Sequence, residues 1–153
     1  MTEFDTAPSN AQLVETATVE MRPPRILLAE DDYELRTLLV EALEVEGYEV
    51  VPAADGFDLL DRIGDTWLAE DGFDLVLSDI RMPGCTGLKA LEALRERDWS
   101  TPIVFMTAFG SIKTHGEAQG LGATIVDKPF DLDDLIDLVR AIVPPSRYEL
   151  GWH

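Results

Sequence analysis

Apolar residues along this chain follow two alternating rhythms. Short apolar runs recur at Ile26–Ala29, Tyr48–Val51, Leu75–Leu77, Ile103–Met106 and Thr124–Val126. Their length and β-branched content predict buried strands. Between them the apolar positions recur at helical spacing. Leu35, Leu38, Leu39, Ala42 and Leu43 fall at i, i+3, i+4, i+7 and i+8, one stripe of an amphipathic helix that Gly47 ends. Leu60, Ile63 and Trp67 give a looser stripe, and Leu88, Leu91 and Leu94 a third. Leu132, Leu135, Ile136, Val139, Ile142 and Val143 mark the last, with Asp131 as its N-cap and Pro144 just beyond its end. The stretch from Ser111 to Leu121 is a poorer helix, because Gly116 and Gly120 both weaken it. It is expected to be the most mobile element.

Strand and helix thus alternate about five times. Parallel strands need crossover connections, so this alternation predicts an α/β domain: a doubly wound parallel sheet with helices on both faces. Residues 1–24 hold few large apolar residues and read as a flexible lead-in, with a weak short helix over Ala11–Met21. The domain is expected over 25–143, and residues 144–153 are a tail too short for another domain. Internal repeats and low-complexity tracts are absent from the sequence.

Composition narrows the function classes. An apolar fraction of 46% in 153 residues is enough to build a core. The charge balance is the anomaly: 12 Lys and Arg against 30 Asp and Glu give a net charge of −18. Nucleic-acid binding needs clustered cations, so direct DNA or RNA binding is discounted. Cys85 is the only cysteine, so no internal disulfide can form. No apolar run approaches the ~20 residues that span a bilayer. The polar, acidic MTEFDTAPSN cannot serve as a secretory signal. A cytoplasmic protein is expected.

Ligands of open α/β sheets bind beyond the carboxyl ends of the strands. Reading off those ends gives Glu30-Asp31-Asp32 after the first run, Ser78-Asp79 after the third, Thr107-Ala108 after the fourth and Asp127-Lys128-Pro129 after the fifth. Each alone is an ordinary turn residue, helix cap or solvated charge. Gathered on one rim, carboxylates ~4 Å apart repel by about 4 kcal/mol at an effective dielectric near 20. Such a rim needs a cation or a raised pKa. Oxygen ligands suit Mg²⁺. A carboxylate such as Asp79 can attack phosphorus, and a divalent cation lets the two anions approach. Lys128 and Thr107 would hold further phosphoryl oxygens, and the small Ala108 would leave the donor a clear path. Pro83-Gly84 turns the chain back toward the site just after Asp79.

At this point the segments LLAEDDYELR, LVLSDIRMPGCTG, VFMTAFG and DKPF resemble the response-regulator receiver family, in its order and at about its spacing, from about Arg25 to Val143. The resemblance implies a flavodoxin-like sheet of order 2-1-3-4-5. It also implies that Asp79 is the phosphoacceptor, that Asp31 binds Mg²⁺ directly and Glu30 through water, and that the Arg81 carbonyl completes the protein ligands. Asp32 is then a spare surface charge, Thr107 the switch hydroxyl and Lys128 the phosphate-binding lysine. A cis Lys128-Pro129 bond is implied as well. Two departures stand out. Ile125 occupies the position where receivers commonly carry Tyr or Phe, and Gly122–Lys128 looks one residue short. Thr86 stands where many members have Asp, as a loop substitution of little consequence. His115 and His153 read as solvated surface histidines.

Three function classes follow. The first is a stand-alone receiver, phosphorylated by a sensor histidine kinase or phosphotransfer protein and signalling to an unknown downstream protein. As a variant, it is a phosphate sink or relay intermediate. Catalysis is then limited to slow phosphorylation and dephosphorylation of itself, and the state is monomer or weak dimer, away from membranes. The second is a hydrolase of the haloacid-dehalogenase-like class, which needs an Asp two residues after the nucleophile; Arg81 there counts against it. The third is an interaction module that has lost phosphorylation, which only Ile125 favours.

Overall fold

The computed structural model describes residues 22–68, 72–108 and 112–145. The predicted helix over Ala11–Met21, the packing of the Trp67 side chain and His153 lie outside that description. Strands and helices alternate as β1 Arg25–Ala29, α1 Tyr33–Val45, β2 Glu49–Ala53, α2 Gly56–Leu68, β3 Leu75–Asp79, α3 Gly87–Arg95, β4 Ile103–Thr107, α4 Ile112–Gly120, β5 Thr124–Asp127 and α5 Leu132–Ile142. The five strands are parallel and lie in the order β2-β1-β3-β4-β5.

The sheet is buried on both faces, which is why its central strands read as unbroken apolar runs. Alternate residues feed two cores. Ile26, Leu28, Leu75, Leu77, Val104 and Met106 meet Leu39 and Leu43 of α1 and Leu135, Ile136 and Val139 of α5. Leu27, Ala29, Val76, Ile103 and Phe105 meet Leu59 of α2, Ala90, Leu91 and Leu94 of α3, and Ala118 of α4. Pro52 lacks an amide N–H, and it sits in β2, an edge strand where a missing donor is tolerated.

Helix ends follow local chemistry. Asp32, Thr86 and Asp131 are extended residues whose side chains accept amide hydrogens from the first turns of α1, α3 and α5. At the far end of α1, Gly47 takes φ 106°, while Gly47 and Tyr48 donate back to Glu44 and Leu43. Gly122, with φ 72°, and Ala123 close α4 in the same way on Gln119 and Ala118. This paired bonding satisfies carbonyls that a helix end leaves open, and glycine supplies the positive φ without steric cost.

The register sets the functional rim. Ala29 pairs with Ser78, Asp79 with Met106, and Thr107 with Asp127. Glu30, Asp79, Thr107 and Lys128 therefore leave the sheet at nearly one level.

Candidate functional site

Glu30 follows the last residue of β1 and turns inward. Its amide donates to the Ala53 carbonyl, and its carboxylate is almost fully buried. That carboxylate accepts from the Asp32 amide at 3.1 Å and from Lys128 Nζ at 2.7 Å. Asp79 ends β3 and is also buried. Its Oδ1 accepts from the Arg81 amide at 3.2 Å and its Oδ2 from Lys128 Nζ at 2.9 Å. One ammonium thus spans two acids from different strands. Burial alone would lower the Lys128 ammonium, but its bonds to Glu30 and Asp79 together outweigh that and hold it above its ordinary value. Burial pushes Glu30 up, against the opposing pull of Lys128.

Asp31 is exposed and completes a cluster: carboxylate oxygens of Glu30, Asp31 and Asp79 lie within 4.8 Å of one another. Two oxygens on one Mg²⁺, each at about 2.0–2.1 Å, stand ~2.9 Å apart if adjacent and ~4.2 Å if opposite. Oxygens within 4.8 Å of one another are close to that range. Three carboxylates against one ammonium leave an excess of negative charge that a hard divalent cation balances, so the donor set fits such an ion.

Thr107 is buried at the end of β4, and its carbonyl accepts from the Lys128 amide at 2.7 Å. The hydroxyl residue and the lysine are thereby tied together at the rim. Lys128-Pro129 is cis, as the resemblance implies. Beside it, Leu35, Ala108, Lys128, Pro129 and Phe130 line a depression of about 400 Å³. Arg81 is exposed in the turn that follows Asp79. Gly87 presses on that turn from the other side. Its amide donates to Ile80, and a β-carbon there would overlap the Asp79 carbonyl oxygen.

Several residues differ from their expected parts. Asp32 is not a spare charge: its Oδ1 accepts from the Leu35 amide and caps α1. Thr86 is more than a loop substitution, because its hydroxyl accepts from the Lys89 amide and caps α3. His115 of α4 is only partly exposed, with Nε2 3.5 Å from the Asp127 carboxylate. Ile125 is half-buried opposite Phe105, on the face that packs against α2, α3 and α4. Two supporting residues escaped the sequence: Arg36, whose guanidinium donates to the Glu30 carbonyl at 2.8 Å, and Gly87. The signal for Gly87 was a glycine just after a helix-capping threonine. Arg36 stands four residues after the cap Asp32, one turn along α1 and back over its start.

Among the described residues no helix is long and apolar enough to cross a membrane. Residues 26–140 match the family described as the response regulator receiver domain. Sporulation initiation phosphotransferase F of Bacillus subtilis is 35% identical over 125 residues, covering 81% of this chain and 97% of that protein. Transcriptional regulatory protein CpxR of Escherichia coli is 40% identical over 125 residues, again 81% of this chain, but the match spans only 51% of CpxR. Among solved structures, Vibrio cholerae chemotaxis protein CheY4 superposes with a TM-score of 0.69 at 29% identity, covering 78% of this chain and 98% of that one. The chain therefore belongs to the response regulator receiver domain family, the signalling modules of two-component systems.

Proposed function

We propose that Asp79 accepts a phosphoryl group from a phosphohistidine of a sensor histidine kinase or phosphotransfer protein, in a reaction that needs Mg²⁺. The observation that carries this reading is the single Lys128 ammonium spanning Glu30 and Asp79 beside the clustered acids. The Asp79 carboxylate oxygen forms the new bond to phosphorus while the bond to the donor imidazole nitrogen breaks, and that nitrogen leaves with the electron pair. Asp31, Asp79 and the Arg81 carbonyl would hold Mg²⁺ directly, with Glu30 acting through water. The ion's chemistry is charge neutralisation that lets two anions approach.

Within the chain, Lys128 would pass from bridging two carboxylates to holding a phosphoryl oxygen. Thr107 would donate its hydroxyl to another. Because Lys128 and Thr107 are joined through the backbone, a move by either would be carried to the ends of β4 and β5. Residues 25–143 would form this receiver, with 1–24 and 144–153 as extension and tail. It would act in the cytoplasm through contacts with a downstream protein. A relay position suits the likeness to a phosphotransferase that is matched over nearly its whole length. Arg81 in place of a second aspartate argues against a turnover phosphatase.

Incubation with acetyl phosphate and Mg²⁺, read by intact mass, tests the proposal. A gain of one phosphoryl group that disappears without Mg²⁺ and in Asp79→Asn is expected. An equal gain in the variant would overturn it.

A further inference from the structure

We infer that Arg36 is a positioning residue for the cation site, an inference that rests on the reading of the acids given above. Three hydrogen bonds hold the turn between β1 and α1 in one arrangement. The Glu30 carboxylate accepts from the Asp32 amide, the Asp32 carboxylate from the Leu35 amide, and the Asp32 carbonyl from the Arg36 amide. That leaves the Glu30 carbonyl, which stands just past the end of the β1 ladder and so has lost its strand partner. Arg36 Nη1 supplies the missing donor at 2.8 Å. The guanidinium is itself held by the Tyr33 ring, whose centroid lies 5.5 Å away. A buried carbonyl without a donor costs free energy, so without Arg36 the turn would rotate to find one. Rotation at Glu30 swings its buried carboxylate and the neighbouring Asp31 together. Arg36 therefore keeps one acid inward against Lys128 and the next poised at the cluster.

The sign of the effect separates positioning from plain electrostatics. Removing a cation near three carboxylates, by charge alone, strengthens their attraction for a divalent ion. Loss of positioning weakens it. Outer partners of metal ligands typically contribute 10- to 100-fold in affinity, roughly, and a carbonyl-bound arginine belongs at the lower end. Titration calorimetry of the full chain with Mg²⁺ alone is the test, beside a thermal melt. Arg36→Gln, whose amide N–H ends two bonds short of Nη1, is expected to weaken Mg²⁺ binding about tenfold, and Arg36→Lys, whose longer side chain keeps a cationic donor, to fall between. Arg62→Gln removes a surface cation that pairs with Asp58 on α2, and should change affinity less than twofold. Unchanged or tighter binding in Arg36→Gln would overturn the inference, even if the melting temperature falls. Should Arg36→Gln fail to fold, Arg36→Lys decides in the same way. If the wild-type protein binds no Mg²⁺, the reading of the site and this inference fall together. Mg²⁺ binding indifferent to Arg36 sinks only the inference.

Discussion

Glu30 and Asp79, at the ends of two neighbouring strands, share one ammonium: Lys128 Nζ lies 2.7 Å from the first and 2.9 Å from the second. Truncating Lys128 would strand two buried carboxylates beside each other. Fully buried pairs lose about 3–5 kcal/mol when one partner goes. Lys128 keeps some solvent access, so Lys128→Ala should lose about 2 kcal/mol without Mg²⁺. Adding Mg²⁺ should recover part of that loss and should bind more tightly than to wild type, since its competitor is gone. Denaturant midpoints with and without Mg²⁺ measure both effects. A loss that Mg²⁺ leaves untouched would mean that Lys128 and the ion do not share these acids.

The two adjacent acids Asp31 and Asp32 should behave differently. Asp32 caps α1, so Asp32→Ala should cost about 1 kcal/mol of stability. Asp32→Asn keeps a capping oxygen and should alter Mg²⁺ binding by no more than a few fold. Asp31→Asn should remove most Mg²⁺ binding at little cost in stability. Melting curves and Mg²⁺ titrations on the three variants distinguish cap from ligand, and a reversed pattern would contradict the assignment.

Gly87 has no room for a side chain against the Asp79 backbone. Gly87→Ala must push that carbonyl or the start of α3, at about 2 kcal/mol by analogy with overpacked cores. The displacement acts on the proposed acceptor, so phosphorylation by acetyl phosphate should slow as well. A variant that folds with wild-type stability and rate would show that the contact is slack.

Away from the site, Asp98 sets an acid-sensitive latch. Its carboxylate accepts from the Ser100 and Thr101 hydroxyls, and these bonds hold it down to about 2. A depressed carboxylate contributes stability that is fully present above its ordinary value of 3.8 and is lost as pH falls toward about 2. Partial exposure limits the contribution to about 1 kcal/mol. The stability gap between wild type and Asp98→Asn should therefore narrow below about pH 4. A constant gap down to pH 3 would contradict the latch.

The strand centres and most helical stripes were legible because a sheet buried on both faces leaves continuous apolar runs. Strand ends were not, since Arg25, Glu49, Ser78, Asp79, Thr107 and Asp127 join the ladder by backbone bonding that hydrophobicity does not encode. In α2 the stripe placed on Leu60, Ile63 and Trp67 missed Leu59, which is fully buried, because adjacent leucines leave the helical phase ambiguous. At the site, the acids, Thr107 and Lys128 were visible as types at strand ends. Which of three consecutive acids turns inward, which is exposed and which caps a helix is decided by the turn. Sequence spacing alone could not separate Glu30, Asp31 and Asp32. Arg36 and Gly87 act through backbone carbonyls, and such partners leave no mark in a list of side-chain types.

The most direct measurement locates the phosphoryl group itself. After reaction with Mg²⁺ and acetyl phosphate, borohydride reduces an aspartyl phosphate to homoserine, and peptide mass spectrometry then reads its position. Homoserine at position 79, absent when Mg²⁺ is withheld, is the expected result. Reduction at another acid, or at none in a folded protein that binds Mg²⁺, would contradict Asp79 as the acceptor.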